Sequence, residues 1–134
     1  MKTSYTTMTG PEKKYHHDIN NNPIVKLTFE FALLIIKYSE SLESLRKYAI
    51  SRQIIKSGTS IGANAREAQN AESRADFIHK MKISAKEADE TEYWLLLCQH
   101  HSTYPDCQEL LAKIMIIKKV LSKIISSSKQ RSPH

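Results

Sequence analysis

The run "KSGTSIGANAREA", Lys56–Ala68, holds two of the three glycines in the chain. Apolar residues lie on both sides of it. A phosphate-binding P-loop would need a lysine directly after the second glycine and a strand before the first. Ala63 and Asn64 follow Gly62, and no strand pattern precedes Gly58. A helix-turn-helix would bend at Ser57-Gly58 and start its recognition helix at Thr59. That helix would turn Asn64 inward, with only Ile61 and Ala65 to anchor it. The third reading is one unbroken helix with Ile54, Gly58, Ile61, Ala65 and Ala68 on a single face and Gly62 at its border. Each interior glycine costs about 1 kcal/mol against alanine. Such glycines persist where another backbone comes close or where the helix bends. Asn64 then becomes a semi-buried amide, with Glu87 or Glu92 of a neighbouring helix as acceptors.

The flanking sequence favours helices. A first helix starts at Pro23 with Asn22 as its cap. Leu27, Phe31, Leu34, Tyr38, Leu42, Leu45 and Ala49 form its stripe. The second carries Ile50, Ile54, Ser57, Ile61, Asn64 and Ala68. The third opens at Ser73, with Asp76 completing a capping box, and carries Phe77, Met81, Ser84, Ala88, Thr91 and Leu95. The fourth opens around Pro105-Asp106 and carries Leu110, Ile114, Ile117, Leu121 and Ile124. Segments of about 22–28 residues would run about 33–42 Å. Short links between them imply antiparallel neighbours, so the expected fold is all-α, an up-down-up-down four-helix bundle over residues 23–126. Residues 1–22 and 127–134 read as flexible tails. The boundary between the first two helices has no Gly or Pro to mark it.

At 134 residues with three glycines and four prolines, the chain is one domain too poor in turn residues for an all-β fold. No signal peptide or membrane span stands out. The two cysteines, Cys98 and Cys107, make no disulfide framework. A cytoplasmic protein with reduced thiols is expected. The net charge of +6 favours anionic partners.

The stretch from Ser51 to Leu97, "SRQIIKSGTSIGANAREAQNAESRADFIHKMKISAKEADETEYWLLL", resembles the four helix bundle family that includes proteins encoded in 23S ribosomal RNA intervening sequences. Accessory variability determinant proteins of diversity-generating retroelements belong to the same family. The resemblance runs from about Phe29 to Ile125 and is carried by "SIGANAREA" and "DFIHKMKISAKEADETEYWL". The family pattern falls on Ser60, Ile61, Asn64, Glu67, Phe77, Ala85, Glu87, Glu92 and Leu95. Many members have proline where this chain has Gly62. The resemblance implies a homopentameric barrel of bundles. Its retroelement member implies binding to RNA and to a reverse transcriptase.

Catalytic and metal chemistry find little support in the residues. A di-iron bundle needs two Glu-x-x-His pairs, and the nearest match is Asp76-x-x-His79. Cys98, His100, His101 and Cys107 are zinc-type ligands, but their spacing is not that of a finger. Ser57, Ser60 and Cys98 lack a recognisable base and orienting group. No enzyme, cofactor or metal is expected. Asn64, Glu67, Glu87 and Glu92 read as structural polar residues.

The basic residues show more order. Arg52, Lys56 and Arg66 share one face of the second helix. Lys113, Lys118, Lys119 and Lys123 surround the fourth, and Arg46 and Lys47 end the first. Phosphate contacts need such groups without base-reading motifs; a solvated surface is the plain alternative. A second apolar stripe, Val25, Phe29, Ala32 and Ile36, lies opposite the core stripe of the first helix. With Met115 and Ile116 it forms an expected interface of a homo-oligomer, unless the N-terminal tail folds over it. The expected function is a non-catalytic oligomer that binds structured RNA. The alternatives are a scaffold for an acidic protein partner and a helix-turn-helix DNA binder.

Overall fold

The computed structural model describes residues 21–130. The tails expected at either end fall mostly outside them. Four helices and no strands make up the described residues: α1 Pro23–Ser44, α2 Tyr48–Ala68, α3 Arg74–His100 and α4 Gln108–Gln130. α1 packs on α2, α2 on α3, α3 on α4, and α4 back on α1. Among the side chains that fill the shared core are Phe31, Ile35 and Leu42 of α1 and Ile54 and Ile61 of α2. Met81 and Leu95 of α3 and Ile114, Ile117 and Leu121 of α4 complete it.

The helix starts obey local chemistry. The Asn22 side chain accepts from the Val25 amide, and Pro23 lends its fixed φ to the first turn. The Ser73 hydroxyl accepts from the Asp76 amide at 3.0 Å, while the Asp76 carboxylate accepts from the Glu72 amide at 3.2 Å. The reciprocal half of the capping box therefore lands one residue before the cap. α4 begins at Gln108, later than expected, so Pro105 and Asp106 lie in the loop. It also continues through Gln130, past the expected boundary at Ser126. Within this last turn the Ser128 hydroxyl donates to the Ile124 carbonyl at 2.8 Å.

The first helix ends earlier than its periodicity suggested. Arg46 adopts φ 63°, in the left-handed region. The Lys47 amide donates to the Leu42 carbonyl at 2.8 Å and the Arg46 amide to the Glu43 carbonyl at 2.9 Å. This is a Schellman closure with arginine where glycine is usual. It stops α1 at Ser44 and leaves Leu45 and Ala49, expected in the core, exposed.

α2 runs unbroken through Gly58 and Gly62, which removes the helix-turn-helix reading. Both glycines face α1. A Cβ on Gly62 would stand 3.2 Å from the Thr28 hydroxyl. The small strip thus lets α2 come close, and α1 turns to meet it. Ile24, Thr28 and Ile35 are buried, whereas the expected Leu27 and Leu34 are only half-buried. Thr28 satisfies its hydroxyl on the Ile24 carbonyl at 2.8 Å.

Candidate nucleic-acid interface

The structure separates the basic residues by environment. The buried side of α2 is Ser51, Ile54, Ser57, Gly58, Ile61, Ala65 and Ala68. Arg52, Lys56 and Arg66 are exposed on the other side, in one row along the helix. Lys119 and Lys123 are exposed on α4, and Lys113 is half-buried. No salt bridge holds Arg46, Arg52, Lys56, Lys113, Lys119 or Lys123 among the described residues.

Lys118 and Lys47, both expected binding cations, make contacts within the fold. The Lys118 ammonium contacts Glu92 at 2.6 Å and Asp89 at 2.9 Å, joining α4 to α3. These hydrogen bonds, Glu92 first, raise the Lys118 pKa. Lys47 donates to the Thr103 hydroxyl at 2.9 Å and lies 4.8 Å from the centre of the Tyr104 ring. It ties the α1–α2 turn to the α3–α4 loop. Neither contact has a motif spacing: Lys118 and Glu92 are 26 residues apart, and helix rotation alone brings them together.

The structural polar residues also find local uses. Asn64 donates to the Ser60 carbonyl at 2.9 Å, one turn back in its own helix. The interhelical partner expected from Glu87 or Glu92 is therefore replaced by an intrahelical one. Glu67 pairs with Lys80 at 3.7 Å. Glu87 is half-buried, and burial raises its carboxyl pKa; Glu90 adds to the rise while Lys56 opposes it. The interhelical bonds that sequence reasoning missed come from small hydroxyls. Ser84 donates to the Ile61 carbonyl at 2.7 Å, Thr91 to the Ser57 hydroxyl at 2.8 Å, and Ser39 pairs with Ser51. For Ser57, Ser84 and Thr91 the signal was present as small hydroxyls within the helical stripes; Ser39 and Ser51 lay outside them.

The expected outer stripe of α1 needs correction. Val25 is buried within the chain, and Phe29 and Ala32 are half-buried along the groove facing Thr59, Gly62 and Ala63 of α2. The close approach permitted by the glycines covers them. Ile36 remains exposed with Leu33, as do Met115 and Ile116 on α4. Tyr93, Leu96 and Leu97 on α3 add exposed apolar surface that the helical stripes did not single out.

Ser57, Cys98 and Cys107, weighed for catalysis or metal binding, are buried in the core. Ser57 is buried and bonded to Thr91, and Ser60 donates to the Lys56 carbonyl. Cys98 and Cys107 are buried free thiols, whereas His100 and His101 are exposed. Among the described residues no three His, Cys, Asp or Glu side chains gather as a metal site. No helix there is long and apolar enough to cross a membrane.

Among the described residues these features define an all-α arrangement of four helices with a basic outer row on α2. The sequence matches the 23S rRNA-intervening sequence protein family over residues 20–123, and the chain belongs to that family. The fold resembles the crystal structure of a protein of unknown function from the S23 ribosomal protein family of Bacteroides thetaiotaomicron VPI-5482. The two share 42% identity and a TM-score of 0.72, over 76% of this chain and 97% of that one. No curated protein shows a significant match.

Proposed function

We propose that the protein is a non-catalytic, oligomeric, up-down-up-down four-helix bundle that binds structured RNA through phosphate contacts in the cytoplasm. The observation that carries this reading is the exposed row of Arg52, Lys56 and Arg66. Backbone neutralisation requires cations in a row and no base-reading motif. The family's connection with ribosomal RNA genes favours RNA as the polyanion. The up-down course is supported by pairs that run in opposite senses: Ser39 with Ser51 and Ile35 with Gly58, then Ser57 with Thr91 and Ile61 with Ser84. Oligomerisation is supported by the apolar surface at Ile36, Met115 and Ile116, which a second copy would cover.

Fluorescence anisotropy on a structured ribosomal RNA fragment, repeated across salt concentrations, tests the binding. Replacing Arg52, Lys56 and Arg66 together by glutamine should weaken binding and flatten the log–log salt slope by about 0.7–0.9 per lost phosphate contact. An unaltered slope would return these residues to the solvated surface. Salt-dependent binding of an acidic protein, with no affinity for RNA, would favour the scaffold reading instead.

A further inference from the structure

At the end of the molecule where α3 begins and α4 ends lies a cavity of about 570 Å³. This is within the range of small-ligand sites, about 300–1,000 Å³. Phe77, Val120 and Ile124 give it an apolar wall, while Arg74 and Lys123 supply two cations. Ser127 and Ser128 also line it, and among the described residues the lining has no carboxylate. The sequence separates Phe77 from Lys123, and only the packing of α3 on α4 brings them to one cavity. Directly after Ser128, Lys129 is set against Lys82 of α3. Lys129 lowers the Lys82 pKa. Lys82 and Lys129, both exposed, add positive charge on this side of the molecule.

Three other grooves on the described surface lack this combination. The α1–α2 groove at Phe29 and Arg66 has about 230 Å³ and a single cation. The groove at Tyr38 and Cys107 includes Asp106 and Glu109, which repel phosphate. The groove at Asn21 and Asn70 has no aromatic side chain.

We propose that the cavity between α3 and α4 receives an unpaired nucleotide of a bound RNA, with the base against Phe77 and the phosphate on Arg74 and Lys123. The inference rests on the RNA-binding reading above and deepens it. An unpaired base offers a π-face to an aromatic wall, whereas a paired base is sealed in its duplex. Ser127, in the lining, would offer a hydroxyl to a ribose or base edge.

The test uses two RNA hairpins of equal length, one perfectly paired and one carrying a single bulged 2-aminopurine. The protein should bind the bulged RNA about tenfold more tightly, in the range of one base–aromatic stack. The 2-aminopurine fluorescence should be quenched on binding. Phe77→Leu keeps an apolar wall and should abolish both the preference and the quenching. Arg74→Gln, at an exposed position, should reduce the preference without altering the thermal melt. Equal binding of the two RNAs without quenching would overturn this site and leave the RNA reading standing. Failure of the wild-type protein to bind either RNA would instead overturn the RNA reading, and this site with it. A loss of oligomeric mass in Phe77→Leu would show the cavity to be a contact between copies, which also overturns the proposal.

Discussion

A Cβ built on Gly58 would lie 2.8 Å from Cγ2 of Ile35, closer than unstrained carbon atoms approach. Gly58→Ala gains about 1 kcal/mol of helix propensity. Overpacking a buried interface costs about 1–3 kcal/mol. Because the contact falls on a fully buried side chain, the clash should win, with a net loss of up to about 2 kcal/mol in urea denaturation. Ile35→Ala in the same background should recover part of it, so the double mutant should lose less than the sum of the singles. Gly62→Ala should lose less than Gly58→Ala, since its nearest contact is 3.2 Å. Strict additivity at Gly58 and Ile35 would refute the close-packing role.

Arg46 closes α1 in a conformation that suits glycine. Left-handed backbone costs a non-glycine residue about 1–2 kcal/mol. Glycine in turn adds about 0.4–1 kcal/mol of unfolded-chain entropy. Arg46→Gly should therefore stabilise the protein by about 0.5–1 kcal/mol, seen as a Tm a few degrees higher. A lower Tm would mean that the Arg46 side chain contributes more than its backbone strain removes.

Burial raises the thiol pKa of Cys98 and takes that of Cys107 to about 11, with a Tyr38 hydrogen bond opposing each rise. Unfolded thiols ionise near 8.5. Below that pH both states are protonated and the stability is fully present. Above it the unfolded chain releases protons that the folded chain retains, so stability falls as pH rises towards about 11. Urea midpoints measured from pH 7 to 11 should show this decline. Cys98→Ala with Cys107→Ala should flatten it. An equally steep decline in the double mutant would assign the effect to other groups, Tyr38 first: its phenol is itself raised by burial and donates to the Pro105 carbonyl at 2.7 Å.

Lys118 and Lys119 are neighbours with opposite assignments. Lys118→Gln removes the bridge to Glu92 and Asp89 and should lower stability by up to about 1 kcal/mol, the usual ceiling for a partly exposed pair. Its effect on RNA affinity should be small. Lys119→Gln should leave the melt unchanged and weaken RNA binding as the loss of one phosphate contact. Chemical denaturation and anisotropy on the two variants separate the roles. The reverse pattern would exchange them.

Sequence alone determined the elements whose cause is local. Asn22-Pro23 and Ser73 marked helix starts because caps act within one turn. The repeat Met81, Ser84, Ala88, Thr91 and Leu95 marked the buried face of α3 because helical periodicity is a property of the chain itself. The continuity of α2 was legible from the small residues that line it. The end of α1 was not, because Arg46 took a conformation normally signalled by glycine.

Tertiary structure decided what depends on how one helix meets another. Periodicity defines a face but leaves its rotation free by tens of degrees. The approach of α2 through Gly58 and Gly62 fixed that rotation, burying Val25 and Thr28 and leaving Leu27 half-covered. The same freedom explains the cations. Lys118 and Lys119 are equivalent in sequence, but only Lys118 reaches the carboxylates of α3. A charge on a helix is a binding group or a structural one according to what the adjacent helix presents to it, and that depends on packing between distant segments.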